Sequence, residues 1–366
     1  MGKFNHLSHT LFTIKPKIMN KNKVISSLII INFLIIFSLF NFKEYYNFHK
    51  EKNEILKNES ENRKYTKNFN LSNINNYENI EIYETPDKKL LENLVEKINN
   101  AKKYVYIEVY MLTETRIRES LIKAKKRWIN IKIIMEKDPY LAYSINNKTY
   151  NEFQKNGIDV VWSNTKNYFL NHTKLILIDW LNIISTWNLT YSTFTQNRDF
   201  FVFIKDNDLN KKLIGIFEDD FIWKRKTIYD ENLIVSPSFS REKILKLLDS
   251  ANSDIKIYMQ YFSDDKINNK LIEIRKKKKI NISAIIPETT VNYTNTKKLI
   301  KNWINIKEIP KYKMHAKTIL IDEKYLLIWS INFSNYSIDK NREIWIIIEN
   351  RKIISKFLYI FENDFN

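Results

Sequence analysis

The chain contains no cysteine, three glycines and five histidines in 366 residues. Without cysteine there is no structural disulfide, no thiolate zinc site and no cysteine nucleophile, and the redox compartment is left open. Metal or acid/base work on imidazole has only five candidates. Glycine at the ~7% of an ordinary globular chain would number about 26. A folded α/β protein needs it at turns, so the shortage is an anomaly. The hydrophobic share of 44% is enough for a full core, and the length suits about two domains at ~150 residues each. The net charge of +18 favours polyanions, either nucleic acid or anionic lipid surfaces. Lys, Asn and Ile dominate nearly every segment, however, and the charge reads first as a compositional bias.

The chain divides into five stretches. Residues 1–23 are basic, with Lys15, Lys17, Lys21 and Lys23 ahead of the uncharged apolar run 24–42 (VISSLIIINFLIIFSLFNF). That run is close to the ~20 residues a membrane-spanning helix needs. The preceding lysines place the N-terminus in the cytoplasm and the rest outside, as a single-pass protein of the cell membrane. A cleaved signal peptide is the rival reading, but NFKEYY follows the run and offers no small-x-small site. Residues 43–79 are polar, lack sustained apolar periodicity and are expected to act as a tether with a coil span of roughly 35 Å.

From Ile80 the sequence repeats itself, as residues 80–232 and 233–366. AKKYVYIEVYML in the first half answers ANSDIKIYMQYF in the second; NHTKLILID answers MHAKTILID; and STWNLTYSTFTQNRDFFVFI answers WSINFSNYSIDKNREIWIII. Strands alternating with basic amphipathic helices predict an α/β layered fold.

Each half carries His-x-Lys-x4-Asp: His172, Lys174 and Asp179, then His315, Lys317 and Asp322. On a strand the His and Lys project from one face and the Asp from the other. An imidazole beside an ammonium suits a phosphodiester. Lysine binds phosphate oxygens as a compact charge, while histidine attacks phosphorus or moves a proton near neutral pH. A lone His-x-Lys would read as an ordinary strand histidine. Here both copies run on to Asn188 or Asn332 and then to Asn197-Arg198-Asp199 or Asn341-Arg342-Glu343.

These motifs, from about Ile80 to the C-terminus, resemble the phospholipase D superfamily, whose signature is HxKx4D followed by a GSxN-like turn. The resemblance implies two repeats, each a mixed β-sheet flanked by helices, packed about a pseudo-twofold axis so that both motifs meet in one cleft. It implies a phosphohistidine on one histidine, assigned to His172, with His315 as acid and base. By the same likeness Lys174, Lys317, Asn188, Ser330 and Asn332 hold the phosphate oxygens, and Asp199 and Glu343 orient the imidazoles. Asp179 and Asp322 belong to the motif but are expected to buttress the strands. No cofactor or metal is called for, and one chain supplies both motifs.

Trp329 and Trp345 stand where this family has glycine, and Trp128, Trp180 and Trp303 stand at places where a turn glycine is expected. A tryptophan loses easy access to positive φ and adds a large ring. Glycine codons rendered as tryptophan would explain both these positions and the glycine shortage; substitution in a diverged enzyme is the alternative. The first copy is also one residue shorter between Asp179 and Asn188 than the second between Asp322 and Asn332, so Thr186 aligns less securely than Ser330. The expected function is a membrane-anchored phosphodiesterase acting on phospholipid by hydrolysis or phosphatidyl transfer. An extracytoplasmic nuclease and a decayed binding module are the alternatives.

Overall fold

The motif strands KLILI and TILI have no polar residue beyond their first position, a pattern that fits strands covered on both faces. The computed structural model describes residues 69–287 and 292–366 and buries every residue of both strands. The first half contributes β1 (Ile80–Glu84), β2 (Tyr104–Val109), β3 (Asn130–Met135), β4 (Asp159–Trp162), β5 (Lys174–Ile178), β6 (Leu181–Ser185), the short β7 (Asn197–Arg198) and β8 (Phe200–Lys205). The second contributes β9 (Leu233–Ser236), β10 (Asp254–Tyr258), β11 (Asn281–Ile286), β12 (Asn305–Glu308), the short β13 (Lys313–Met314), β14 (Thr318–Ile321), β15 (Tyr325–Trp329) and β16 (Glu343–Ile348). Two mixed seven-stranded sheets result, ordered β1-β8-β6-β5-β2-β3-β4 and β12-β11-β10-β14-β15-β16-β9. Read in opposite directions the two orders are equivalent strand for strand, so the expected α/β duplication is present.

Three apolar layers hold the sheets. The central one joins Leu175, Leu177 and Val202 of the first sheet to Leu320, Ile328 and Ile346 of the second. It is completed by two helices at corresponding positions, Asn207–Phe221 and Arg351–Phe365, which bury Leu213 and Phe217 in one and Phe357 and Phe361 in the other. Asp206 and Asn350 start these helices by accepting from Leu209 N and Ile353 N. The other two layers lie under the remaining helices of each half.

Residues 69–79, the described part of the expected tether 43–79, pack against the rest of the chain. Phe69, Ile74 and Tyr77 are buried, Lys243 stands 4.5 Å over the Phe69 ring, and Asn75 N donates to Asn232 Oδ1 at 3.1 Å. The apolar residues are too irregularly spaced to show a period, yet Phe69 and Ile74 join an apolar layer of the second half and Tyr77 joins the central one. The apolar run 24–42 and the rest of the tether lie outside the described residues. Among the described residues no helix is long and apolar enough to cross a membrane.

Among the described residues four helix ends close with the same geometry, in which the amide that follows a left-handed residue reaches back five residues. Ile158 N bonds Phe153 O, Ile129 N bonds Ala124 O, Ile304 N bonds Leu299 O and Lys224 N bonds Asp219 O. The left-handed residue in the first is Gly157, at φ 70°; in the others it is Trp128, Trp303 and Trp223, at φ 67°, 59° and 62°. Glycine is the usual occupant of this position. Trp128 is 95% exposed and so gains little from burial in exchange. Trp180 is not left-handed, and Trp329 and Trp345 lie in strands, fully buried with rings 4.4 Å apart and both indole N–H groups unpaired. Replacing Trp128 or Trp303 by glycine is expected to raise stability by about 1 kcal/mol each, read as a rise in thermal midpoint. An unchanged or lower midpoint would show that these rings compensate for their backbone.

Candidate active site

The hairpins that follow the motifs explain the length difference between the copies. Ile178 pairs with Leu181 across the two-residue turn Asp179-Trp180, whereas Ile321 pairs with Tyr325 across Asp322-Glu323-Lys324. The missing residue is therefore in the turn. Ser185 and Trp329 occupy equivalent register positions opposite Phe201 and Trp345, which makes Thr186 the counterpart of Ser330.

The same turns remove Asp179 and Asp322 from the reactive groups. Both are left-handed, at φ 49° and 52°, so strand parity does not reach them. They stand about five residues, or ~16 Å, along the strand from each lysine. Asp179 accepts from the backbone amides of Lys102, Lys103 and Tyr104 at 2.8–3.1 Å, and Asp322 from those of Asn252, Ser253 and Asp254. Burial works against the Asp322 carboxylate, but these amides hold it below the usual range. Their role is to tie the loop before β2 and β10 to the motif hairpin.

The remaining motif residues meet between the halves. β7 pairs with β13 across the two halves, and Asn171 bridges to Arg342 in the same way. His172 N consequently donates to Arg342 O at 2.8 Å and His315 N to Arg198 O at 3.2 Å. This exchange delivers each acid to the opposite half: His172 Nδ1 lies 3.0 Å from Glu343 Oε2, and His315 Nδ1 lies 3.1 Å from Asp199 Oδ1. The imidazoles keep 13% and 11% of their surface while both carboxylates are fully covered. Lys174 Nζ turns back to His172 O at 2.7 Å. Lys317 Nζ reaches His315 O at 2.5 Å and both ring nitrogens of His315 at 2.9 Å.

Burial, then the neighbouring lysine, pushes His172 down to about 4 and His315 well below its ordinary value, so both rings are neutral at pH 7. Burial also lowers Lys174, and lowers Lys317 to about 7 despite the attraction of Asp199 and Glu343. Asp199 is pushed up to about 8 by burial, against the pull of Lys317 and a 2.6 Å hydrogen bond from Thr186 Oγ1.

Asn188 Oδ1 accepts from Met111 N at 3.2 Å. Ser330 Oγ and Asn332 Oδ1 are buried without a partner, as are Asn197 Nδ2, Asn341 Oδ1 and Asp199 Oδ2 from the two Asn-Arg-acid segments. Buried polar atoms rarely stay unpaired. Ser330 and Asn332 are among the residues expected to hold phosphate, and Asn197 and Asn341 flank the two acids. Among the described residues no group of acids and histidines could hold a metal ion.

Several site residues were not read from the sequence. Tyr110 meets His172 edge-on at 4.6 Å and lies 5.3 Å beneath Lys174 Nζ; Trp187 meets His315 edge-on at 3.5 Å. Arg342 Nε donates to Asp220 Oδ2 at 2.8 Å and Arg198 Nη2 donates to Asp364 Oδ1 at 3.0 Å. Each arginine is thus held by the opposite half. The two aspartates had a signal, since the helices end in the matching strings IFEDDF and IFENDF. The aromatic rings had none.

A duplicated α/β unit with two His-Lys pairs facing each other across its axis is the architecture of a phospholipase D-like protein. The chain belongs to the family described as cardiolipin synthase, PLD-like domain, whose model matches residues 94–221 and again 244–365. A phospholipase D from Rickettsia prowazekii is 27% identical over 154 residues, covering 39% of this chain and 73% of that protein. The fold is similar to that of phosphatidylserine synthase from Haemophilus influenzae, at TM-score 0.63 and 14% identity over 79% of this chain and 86% of that one. It is also similar to polyphosphate kinase from Porphyromonas gingivalis, at TM-score 0.61 and 14% identity over 78% of this chain. This chain spans half the length of that kinase.

An anion placed between Lys174 and Lys317 raises their proton affinity. At pH 8, above the value of about 7 for Lys317 in the empty site, phosphate binding should take up protons, and affinity should fall as pH rises through 7. Calorimetry of inorganic phosphate in buffers of different ionisation enthalpy measures both. Affinity independent of pH from 6 to 9 would remove the lysines from the pocket.

Proposed function

We propose that the chain is a membrane-anchored phosphodiesterase that hydrolyses or transfers phosphatidyl groups through a phosphohistidine. The observation that carries this reading is the pair of neutral imidazoles, each held at Nδ1 by a buried acid from the opposite half. Such a bond fixes the tautomer, and at His172 it leaves Nε2 free to react. His172 is the better nucleophile: its only hydrogen bond from a ring nitrogen among the described residues is to Glu343, whereas Lys317 crowds both nitrogens of His315.

In the first step His172 Nε2 bonds to phosphorus and the bond to the leaving alcohol breaks, with a proton passing from His315 to the departing oxygen. Substrate charge between the two lysines offsets their repulsion of the imidazolium that His315 must carry. In the second step His315 takes a proton from water or an acceptor alcohol, whose oxygen displaces His172 from phosphorus. Lys174, Lys317, Ser330 and Asn332 hold the non-bridging oxygens and stabilise the charge that builds on them. Membrane anchoring rests on the apolar run 24–42 and its lysine-rich flank.

The test sets phospholipid vesicles against plasmid DNA, in chelator, with wild type, His172→Ala and His315→Ala. Wild type should cleave phospholipid. His172→Ala should form no covalent phosphoenzyme, and His315→Ala should still form it while turning over about 10²–10⁴-fold more slowly. Cleavage of DNA alone would replace the lipid reading with a nuclease, which the +18 charge would serve through phosphate attraction. Cleavage of neither would leave a binding module.

A further inference from the structure

The loop after β3 presents four large apolar side chains to solvent beside the site. Tyr140, Leu141, Tyr143 and Ile145 are between 41% and 79% exposed. The loop's position is fixed by the residue that contacts the candidate nucleophile: Tyr140 N donates at 2.5 Å to the hydroxyl of Tyr110, whose ring lies on His172. Its ends are held as well. Asp138 N donates to Glu136 Oε1, and the buried Asn146 amide donates to Tyr110 O and Glu136 O at 2.8 Å each. Ala142 N and Ile145 N bond back to Pro139 O and Ala142 O within the loop. Leu141 is left-handed at φ 60°, a rare conformation for a bulky residue. The backbone therefore holds these side chains outward instead of letting them fold into the core. Phe169 and Tyr336, one from each half with rings 4.8 Å apart, are both more than half-exposed or close to it near the Asn171–Arg342 bridge.

Adjacent exposed apolar groups are unfavourable in water and mark a surface that is covered in use. We propose that this loop is a membrane-docking rim: Tyr140, Leu141, Tyr143 and Ile145 enter the boundary between head groups and acyl chains of an anionic bilayer, setting the cleft at the lipid surface. The proposal rests on the phospholipid reading above. A bilayer is favoured as occupant by charge, since the exposed Lys137 and Lys148 flank the loop in a chain of net charge +18. The mixture of Tyr with Leu and Ile suits an interface that is wet on one side and oily on the other. The sequence supplies a further argument, because the apolar run 24–42 proposed above to span a membrane precedes this part of the chain.

The absence of cysteine makes the test clean. Leu141→Cys, and Lys126→Cys at the exposed end of the helix Thr115–Lys126 that precedes β3, each carry one environment-sensitive dye on the full chain, placed in phosphatidylcholine vesicles with and without phosphatidylglycerol. Dye at 141 should shift to the blue and be quenched by lipids bearing nitroxides on their acyl chains, more strongly with phosphatidylglycerol; dye at 126 should stay aqueous. Leu141→Asp combined with Tyr143→Asp should lower turnover of vesicle phospholipid by about tenfold and leave turnover of a short-chain, monomeric phospholipid unchanged. Aqueous emission at 141 in both vesicles, or equal loss on both substrates, overturns the proposal. A blue shift in detergent that grows with protein concentration, or one that needs plasmid DNA, overturns it in favour of a second copy or nucleic acid. If wild type cleaves no phospholipid, the lipid reading fails separately and the dye alone decides the loop.

Discussion

The structure depends on an exchange across its pseudo-twofold axis. Each motif histidine takes its orienting acid from the other half, and each arginine beside those acids is held by an aspartate at the end of the other half's helix. The four links lie within a few residues of one another in two short segments, Asn197-Arg198-Asp199 and Asn341-Arg342-Glu343. Neither half supplies both an imidazole and the acid bonded to it. Arg342 and Asp220 are almost completely buried, and losing one partner of such a pair strands the other charge at about 3–5 kcal/mol.

This exchange requires the sheets to stay rigid where they meet. The central apolar layer, shared by both sheets and the two equivalent helices, supplies that rigidity. It also excludes water, which is why burial leads among the causes of shifted proton affinity at His172, Lys174, Asp199, His315 and Lys317. Two lysines and two histidines crowded around only two buried acids, Asp199 and Glu343, are an unfavourable arrangement in a low dielectric. The phosphodiester proposed as substrate would relieve it, beside the unpaired polar atoms of Ser330 and Asn332.

The halves are not equal, and the differences fall next to the histidines. Asn171 precedes His172 and is gripped by two buried acids, its side chain by Glu108 Oε1 and its amide by Glu136 Oε2, each at 2.7 Å. Met314 precedes His315 and joins the apolar layer instead. The position of Glu108 is taken in the second half by Tyr258, which bonds Asp364 at 2.7 Å. A polar, hydrogen-bonded approach to one histidine and an apolar one to the other gives a duplicated site two distinguishable members.

Much of this was legible in the sequence because it is encoded locally. The apolar runs after each His-x-Lys set doubly covered strands, the repeated order of elements set the duplication, and the spacing of motif and downstream acid singled out the groups that meet. The positions doubtful for tryptophan were legible too, and at Trp128 and Trp303 the backbone is the one glycine prefers. Only the tertiary structure decided which acid serves which histidine, because strand exchange between halves leaves no periodic trace. It also moved Asp179 and Asp322 out of strand parity and into turns, where backbone amides fix them. Tyr110 and Trp187 became site residues through packing alone, since an aromatic ring carries the same pattern in a core as over an imidazole.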